Sequence, residues 1–593
     1  MASPSVLLKA SFSALTLSAS LLAQQQLPNP PKVYLNTQYP TVTGQSITVN
    51  AGGDLQAAIN SANPGDEIVL QAGATWTGNY SLPNKVGGSW IIIRSSAKSF
   101  LPPSGTRVTP SNAANMPKIV TPNSNPAIAN NYAVAGSRTT QFWYLEGLEI
   151  TTSAPLTWNV VLFDDEYSLA PGDMPHDITI SHCYIHGIPN TAGMVRGVWL
   201  GGVDMAVVDS WVSDFQDTNM ESQAVVFQDG PGPFKIVNNE LEAATENLMF
   251  LDPPPTSTPI IPSDVEIRGN HIMKPLTYQG SPYTVKNLFE IKNGQRILFS
   301  NNVLENCWPM AQTGMAIVAI PRTNNGLQPY SLVQDVTITY NVIRNVGGGI
   351  NIAGLDDTCP PTAGCQTSHR VLLQNNLFYE VTTAMGGPGY VFEIANMHEL
   401  TVDHNTTQTV YPGTIQPWGQ FIVTYPTVNE IVTNNIFDQN IGGQAVVGPA
   451  SLFNSSQTGS SNSGNSLSNN LMIGQGFDGY LTSSAVTSQW NPYAVATFYA
   501  TDTDAVGYNN PAAGNYSLIA SSPYKNAGTD GKDLGYNASK INISRVISGG
   551  PGAATAPQSP QDCINNALHA LALSPPNIGA ADQYLNVALS MLQ

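Results

Sequence analysis

A nine-residue unit of apolar residues and asparagine recurs about every thirty residues, a period that marks a stacked solenoid. Units begin at Phe142, Asp177, Asp204, Pro233, Asp264, Arg296, Asp335, Arg370, Glu399 and Asn429, and the clearest read DVEIRGNHI, RILFSNNVL, DVTITYNVI and RVLLQNNLF. The fourth place is always apolar or aromatic, from Leu145 and Ile180 to Val402 and Val432. The seventh holds Leu148, Cys183 and Ser210, then asparagine in each later unit: Asn239, Asn270, Asn302, Asn341, Asn376, Asn405 and Asn435. Alternation with period two, broken at a fixed polar turn, predicts a strand, a corner and a second strand in every unit. Such a chain lengthens by adding turns to one continuous core, so 593 residues need not divide into several domains.

Only 10% of residues are charged, against about 25% in an average globular chain. Gly, Ser, Thr and Asn take their place, as tight turns between short strands require. The net charge of −18 offers no basic stripe to neutralise phosphates, which excludes nucleic acid as a partner.

The first residues, MASPSVLLKASFSALTLSASLLAQQQ, place Lys9 before the apolar stretch Ala10 to Leu22 and a small residue at Ala23. That order predicts a secretory signal over residues 1–23 and a secreted, extracellular or periplasmic protein. The stretch is too short and too rich in serine for a bilayer anchor, and no later segment is long and apolar enough to span one. Cys359 and Cys365 enclose the loop-like TCPPTAGC, where an oxidising compartment favours a small disulfide. Zinc is disfavoured because no second pair of ligands follows at the required spacing.

Residues 24–47 read as an extended lead-in. In GDLQAAINSANPGDEIVLQAG, Leu55, Ala58 and Ile59 sit at helical spacing, and Pro64-Gly65 ends the helix before the strand EIVLQ. This opening, joined to the asparagine-bearing units, resembles the right-handed parallel β-helix, or pectate-lyase-like, superfamily. The resemblance covers about residues 48–445 and the closing phrase SPYKNAGTDGKDLGYN. It implies an all-β, single-stranded right-handed parallel β-helix with an N-terminal capping helix, three strands per rung and asparagine stacked between the second and third. The first strands would be the intervening apolar runs, among them VWLGG (198–202), LMFLD (248–252), LFEIK (288–292), IVAIP (317–321) and VFEIA (391–395). Residues 446–545 read as irregular late coils, and 546–593 as a linker followed by short C-terminal helices. A monomer is expected.

The resemblance also implies a ligand along the first-strand face, walled by the loops that leave it. Those loops are long at 252–263, 321–334 and 355–369 and minimal after Lys292, which predicts a notch there. An extracellular polysaccharide is the expected partner, cleaved by elimination next to a uronate carboxylate. Such chemistry needs a base and a cation beside the carboxylate. Lys292 is the candidate base, its pKa lowered by burial or by Arg322, and Arg322 the candidate grip on the carboxylate. Asp252, Glu290 and Glu246 form a candidate Ca²⁺ set, since calcium takes oxygen ligands. Asn293, Glu290, Asp356, Asp357 and Glu393 are candidate substrate contacts. Two other readings stand beside this one. A glycoside hydrolase would use paired carboxylates such as Asp356 with Asp357, Asp229 or Glu393, and a non-catalytic solenoid would bind glycan or protein through its ladder. Trp308, Tyr283, Tyr390, Tyr425 and Trp418 are candidate sugar platforms.

Overall fold

The computed structural model describes residues 26–130, 139–164, 173–253, 259–409, 421–425, 427–438, 446–447, 464–473, 494–495 and 498–550. The expected signal (1–23), the helices expected beyond residue 558, Trp418 and Cys563 lie outside them. The chain coils into three long sheets in which every neighbour pair is parallel. The solenoid is a right-handed parallel β-helix, and each complete rung contributes one strand to each sheet. We call the sheet of first strands sheet 1, that of the repeat units sheet 2, and that of the short strands after the asparagine corner sheet 3.

Register follows from the alternation. In sheet 1, Val198, Val225, Leu248, Phe289, Ile317, Ile350, Phe392 and Phe421 stack in one inward row, and all are buried. Aromatic rings fill the tube where rows meet: Phe289 stacks on Phe299 at 4.5 Å and Phe227 on Phe250 at 4.6 Å between centroids. The solenoid also extends beyond the recognisable units. Ser46–Val49, Glu67–Leu70 and Ile91–Ser95 precede them in sheet 2, and Ser466–Ser468 follows. The helix expected near Leu55 is α1 (Leu55–Ser61); Asp54 caps it by accepting the Ala57 N–H at 2.9 Å, and Leu55, Ala58 and Ile59 close the first rung.

The corner between sheets 2 and 3 explains the asparagine pair. Its first residue has a left-handed backbone, with φ of 56° at Asn301, 55° at Asn375 and 58° at Asn434, a conformation asparagine tolerates better than most residues. The second residue turns inward to form a ladder. Oδ1 of Asn341 accepts both the backbone N–H (2.9 Å) and Nδ2 (3.0 Å) of Asn302, and the pattern repeats from Asn239 through Asn435. Asn470 adds one more step, while Ser210 and Cys183 continue it in the other direction through Ser210 Oγ. Every member is buried, so each satisfies groups that would be costly to leave alone.

The described residues that flank the tube run back along it on both sides. The lead-in crosses the outside of sheet 2: Asn29 bonds Asp335 (2.8 Å), Lys32 bonds Asp264 (2.7 Å), and the carbonyls of Leu35 and Thr37 accept from Lys235 (2.9 Å) and Tyr144 (3.0 Å). Residues 508–549 cross the outside of sheet 3. Tyr516, Tyr524, Leu534, Tyr536 and Val546 pack there on Val303, Val342, Leu377, Ile436 and Leu471. The closing phrase SPYKNAGTDGKDLGYN belongs to this C-terminal strap. Sheet 1 alone is crossed by neither end among the described residues.

Candidate functional site

The outward row of sheet 1 runs Trp199, Val226, Met249, Glu290, Val318, Asn351 and Glu393. Around Glu290 it carries a continuous network of charge. Arg196 bonds Gln223 (2.9 Å), Gln223 donates to Glu246 (2.8 Å), and Lys286 lies between Glu246 (3.6 Å) and Glu221, which it also bonds. Asn287 donates to Glu290 (2.8 Å) and to Gln312 (2.7 Å), and Lys292 pairs with Asp252 (3.0 Å). One rung on, the Arg322 N–H donates to the Lys292 carbonyl (2.9 Å), and its guanidinium reaches Asp356 (3.5 Å) and Asp357 (3.4 Å).

The floor of the expected notch is closed. Glu290 is 2% and Glu246 0% exposed, and Lys286 and Lys292 lie against them. Arg322 (35%) and Asp357 (86%) are the accessible rim. The exit loops lean on one another: Asn324 donates to the Pro253 carbonyl (3.3 Å), and the Gln366 N–H to that of Pro329 (3.2 Å). The expected disulfide Cys359–Cys365 is formed in the third loop. Asp356 holds that loop from within, accepting from the N–H and hydroxyl groups of Thr323 and Thr358 at 2.6–3.0 Å. Although burial raises it, these bonds keep the carboxyl down at about 2.

Several expectations are corrected here. Lys292 is not a lysine of lowered pKa. Burial pulls its ammonium down, but Glu290, Asp252 and Glu221 outweigh that and leave it above the ordinary lysine value. Arg322 does not compensate by repulsion, because Asp356 and Asp357 engage it. The Ca²⁺ set does not fit these residues either. Lysines already neutralise Asp252 and approach Glu246, and among the described residues no three His, Cys, Asp or Glu side chains gather as a metal would need. Asn293 and Asp356 are both buried, and Asn293 donates to the Ile260 carbonyl (2.9 Å). Glu393 accepts from Asn351 (2.9 Å) on the same outward row, with burial raising its pKa. Asp229 is buried, as are Trp308 and Tyr283 within one apolar cluster, whereas Tyr425 is 59% exposed.

Glu221, Gln223, Lys286 and Asn287 escaped the sequence reading because they lie before the recognisable apolar runs of sheet 1. Their signal was positional: each stands within a few residues before a recognisable run, Glu221 and Gln223 on the rung before Glu246 and Lys286 and Asn287 on the rung of Glu290. Their electrostatics are uneven. Burial and the neighbouring Glu221 and Glu290 push Glu246 up to about 8, whereas Lys286 holds Glu221 below the ordinary carboxylate value against its own burial.

No family model matches the chain, and no curated protein matches it. Solved structures do. A PL6-family alginate lyase, AlyGC, superposes with a TM-score of 0.48 at 12% identity over 84% of this chain and 59% of its own length. The catalytic unit of a GH87 α-1,3-glucanase from Streptomyces thermodiastaticus gives 0.42 at 12% identity, over 79% of this chain and 69% of that one. Pectate lyase Pel9A gives 0.33 at 12%, over 84% and 97%. At these identities the likeness concerns the fold alone. The three long all-parallel sheets make the protein a right-handed parallel β-helix.

Proposed function

We propose that the protein is an exported polysaccharide-active β-helix that takes a uronic-acid-containing glycan along sheet 1 and cleaves it by elimination. One observation carries this reading: among the described residues, 29–37 cross sheet 2 and 508–549 cross sheet 3, while sheet 1 keeps a walled face with cations and carboxylates interleaved. Clefts walled by long loops on a rigid scaffold are where ligands bind. Arg322 is the exposed fork for a uronate carboxylate, and Lys292 stands one rung away as a second cation. Because Lys292 rests protonated beside Asp252 (3.0 Å), its service as base requires that proton to be lost to solvent first. The elimination therefore speeds up as pH rises above neutral.

A hydrolytic reading is favoured by one separate observation, the opposite shifts of Glu246 and Glu221, since carboxylates driven apart in pKa are how an acid and its partner are set. It ranks second because Glu246 has no accessible surface. The test is incubation of the purified protein with polyuronates, alternating uronate glycans and neutral glycans, with and without chelator. Ultraviolet absorbance of an unsaturated product, abolished in Arg322→Ala and strongly reduced in Lys292→Ala, supports elimination. Reducing ends without that absorbance support hydrolysis. Retardation in glycan-containing gels with no product, lost in Arg322→Ala, supports binding alone. No binding and no product across the panel would remove the polysaccharide reading.

A further inference from the structure

Lys274 is among the largest fully buried side chains in the molecule. It follows the strand His271–Met273 of sheet 3, at the corner where the chain turns toward sheet 1. Its Nζ donates to the carbonyl oxygens of Thr245 (2.8 Å), Asn287 (3.0 Å) and Ala243 (3.3 Å) and to Oδ1 of Asn247 (2.9 Å). Four acceptors thus share three ammonium hydrogens. The Asn247 amide nitrogen is committed to the carbonyls of Leu241 (2.8 Å) and Met273 (2.6 Å), which turns its oxygen toward Lys274. The hole is walled by oxygen, and each acceptor there would be costly to leave bare. A single cation engages all four together, where one water would supply only two hydrogens.

The cage sits under the candidate site. Thr245 immediately precedes Glu246, and Asn287 sends its side chain to Glu290 and Gln312. One ammonium therefore ties the entries of two adjacent first strands. In the stack of rungs, Lys274 occupies the corner that Asn306 takes in the next one, and the Asn306 amide in turn donates to the Lys274 carbonyl at 3.0 Å. Burial lowers the ammonium to about 8, so it remains charged at neutral pH.

We propose that Lys274 is an internal cation filling a four-oxygen cage beneath the entries of two adjacent first strands, and that once the side chain is cut back the cage takes a monovalent cation, ammonium or potassium, from solution. Its bearing on glycan chemistry rests on the polysaccharide reading above; the cage does not, and unfolding tests it without any glycan. Thermal unfolding of the full chain is followed in ammonium, potassium and choline chloride at equal concentration. The wild type is expected to unfold at the same temperature in all three. Lys274→Ala unfolds at a lower temperature in choline and regains a large part of the loss in ammonium or potassium. Lys274→Met, which fills the hole with apolar atoms, is lowered and not rescued. An alanine variant as stable as the wild type in choline, or one indifferent to the cation, overturns the proposal. Should neither variant fold, reductive methylation of the folded wild type decides: Lys274 is expected to stay unmodified while Lys532 reacts, and equal rates at both overturn the cage.

Discussion

Asn341 accepts two hydrogen bonds from Asn302 and donates to the carbonyl of Phe299 (3.0 Å) and to Oδ1 of Asn376 (3.0 Å). Its neighbour in sequence, Tyr340, carries the left-handed turn, with φ of 57°. In the later rungs, where that place is asparagine, it has a second task, because the side chain faces outward and holds the C-terminal strap. Asn301 bonds the Lys540 carbonyl (2.7 Å), Asn434 bonds Thr529 (2.8 and 2.9 Å), and Asn469 bonds the Ala527 carbonyl (2.7 Å). Inner and outer asparagines should therefore fail differently. Asn341→Ala strips two donors and one carbonyl of buried partners, each worth about 1–3 kcal/mol, so chemical denaturation should show a loss of about 3 kcal/mol. Asn301→Ala should cost about 1 kcal/mol and act on the strap alone, raising hydrogen exchange near residue 540 with the rungs unchanged.

Two charged groups clasp the strap as well. Arg107, in the loop before the third strand of an early rung, donates to the carbonyls of Asn239 (2.7 Å), Val546 (3.1 Å) and Ile547 (2.6 Å) and pairs with Glu240 (3.1 Å). Both side chains are almost completely buried, and removing one partner of a buried pair costs about 3–5 kcal/mol. Arg107→Met is expected to release Ile543–Ser548 to proteolysis while the core rungs persist. The second clasp is His404, between Asp403 (2.9 Å) and Asp530 (3.4 Å). Burial pulls this imidazole down, but the two carboxylates outweigh it and raise it to about 9. A group raised in the folded state contributes fully below the ordinary histidine value and loses that contribution as pH rises through about 9. The thermal midpoint should fall on going from neutral to alkaline pH, and His404→Gln should flatten that fall.

Over the whole molecule, a net charge of −18 surrounds a face whose local cations are Arg196, Lys286, Lys292 and Arg322. Long-range repulsion slows the approach of a polyanion and is screened within about 10 Å at 0.1 M salt. Association with a polyuronate should accordingly quicken as salt is raised from low to physiological strength, while association with a neutral glycan should not change; stopped-flow binding would separate the two.

Much of the tube was legible in the chain. Val402, Ile267 or Asn302 is placed by the residues immediately around it, because alternation and corner are local and every rung repeats them. The early rungs at Ile47, Ile68 and Ile92 carried the alternation without the asparagine corner, so their place in sheet 2 was not visible. The charged site was less legible. Lys292, Asp252, Glu290 and Arg322 are legible as neighbours across rungs, but Glu221 and Asp356 are not, and the sum of Glu290, Asp252 and Glu221 reverses the expected shift of Lys292. Lys274 resembled any surface lysine.

The sequence alone determined the coil, its strand order and the asparagine spine, since a short-range pattern that buries one side of each strand leaves one way to stack. Tertiary structure decided which charges meet, which face stays free and where a lone ammonium is enclosed. Those outcomes depend on contacts such as Asn29 with Asp335 and Arg107 with Val546, between residues far apart in the chain, and no local pattern records them.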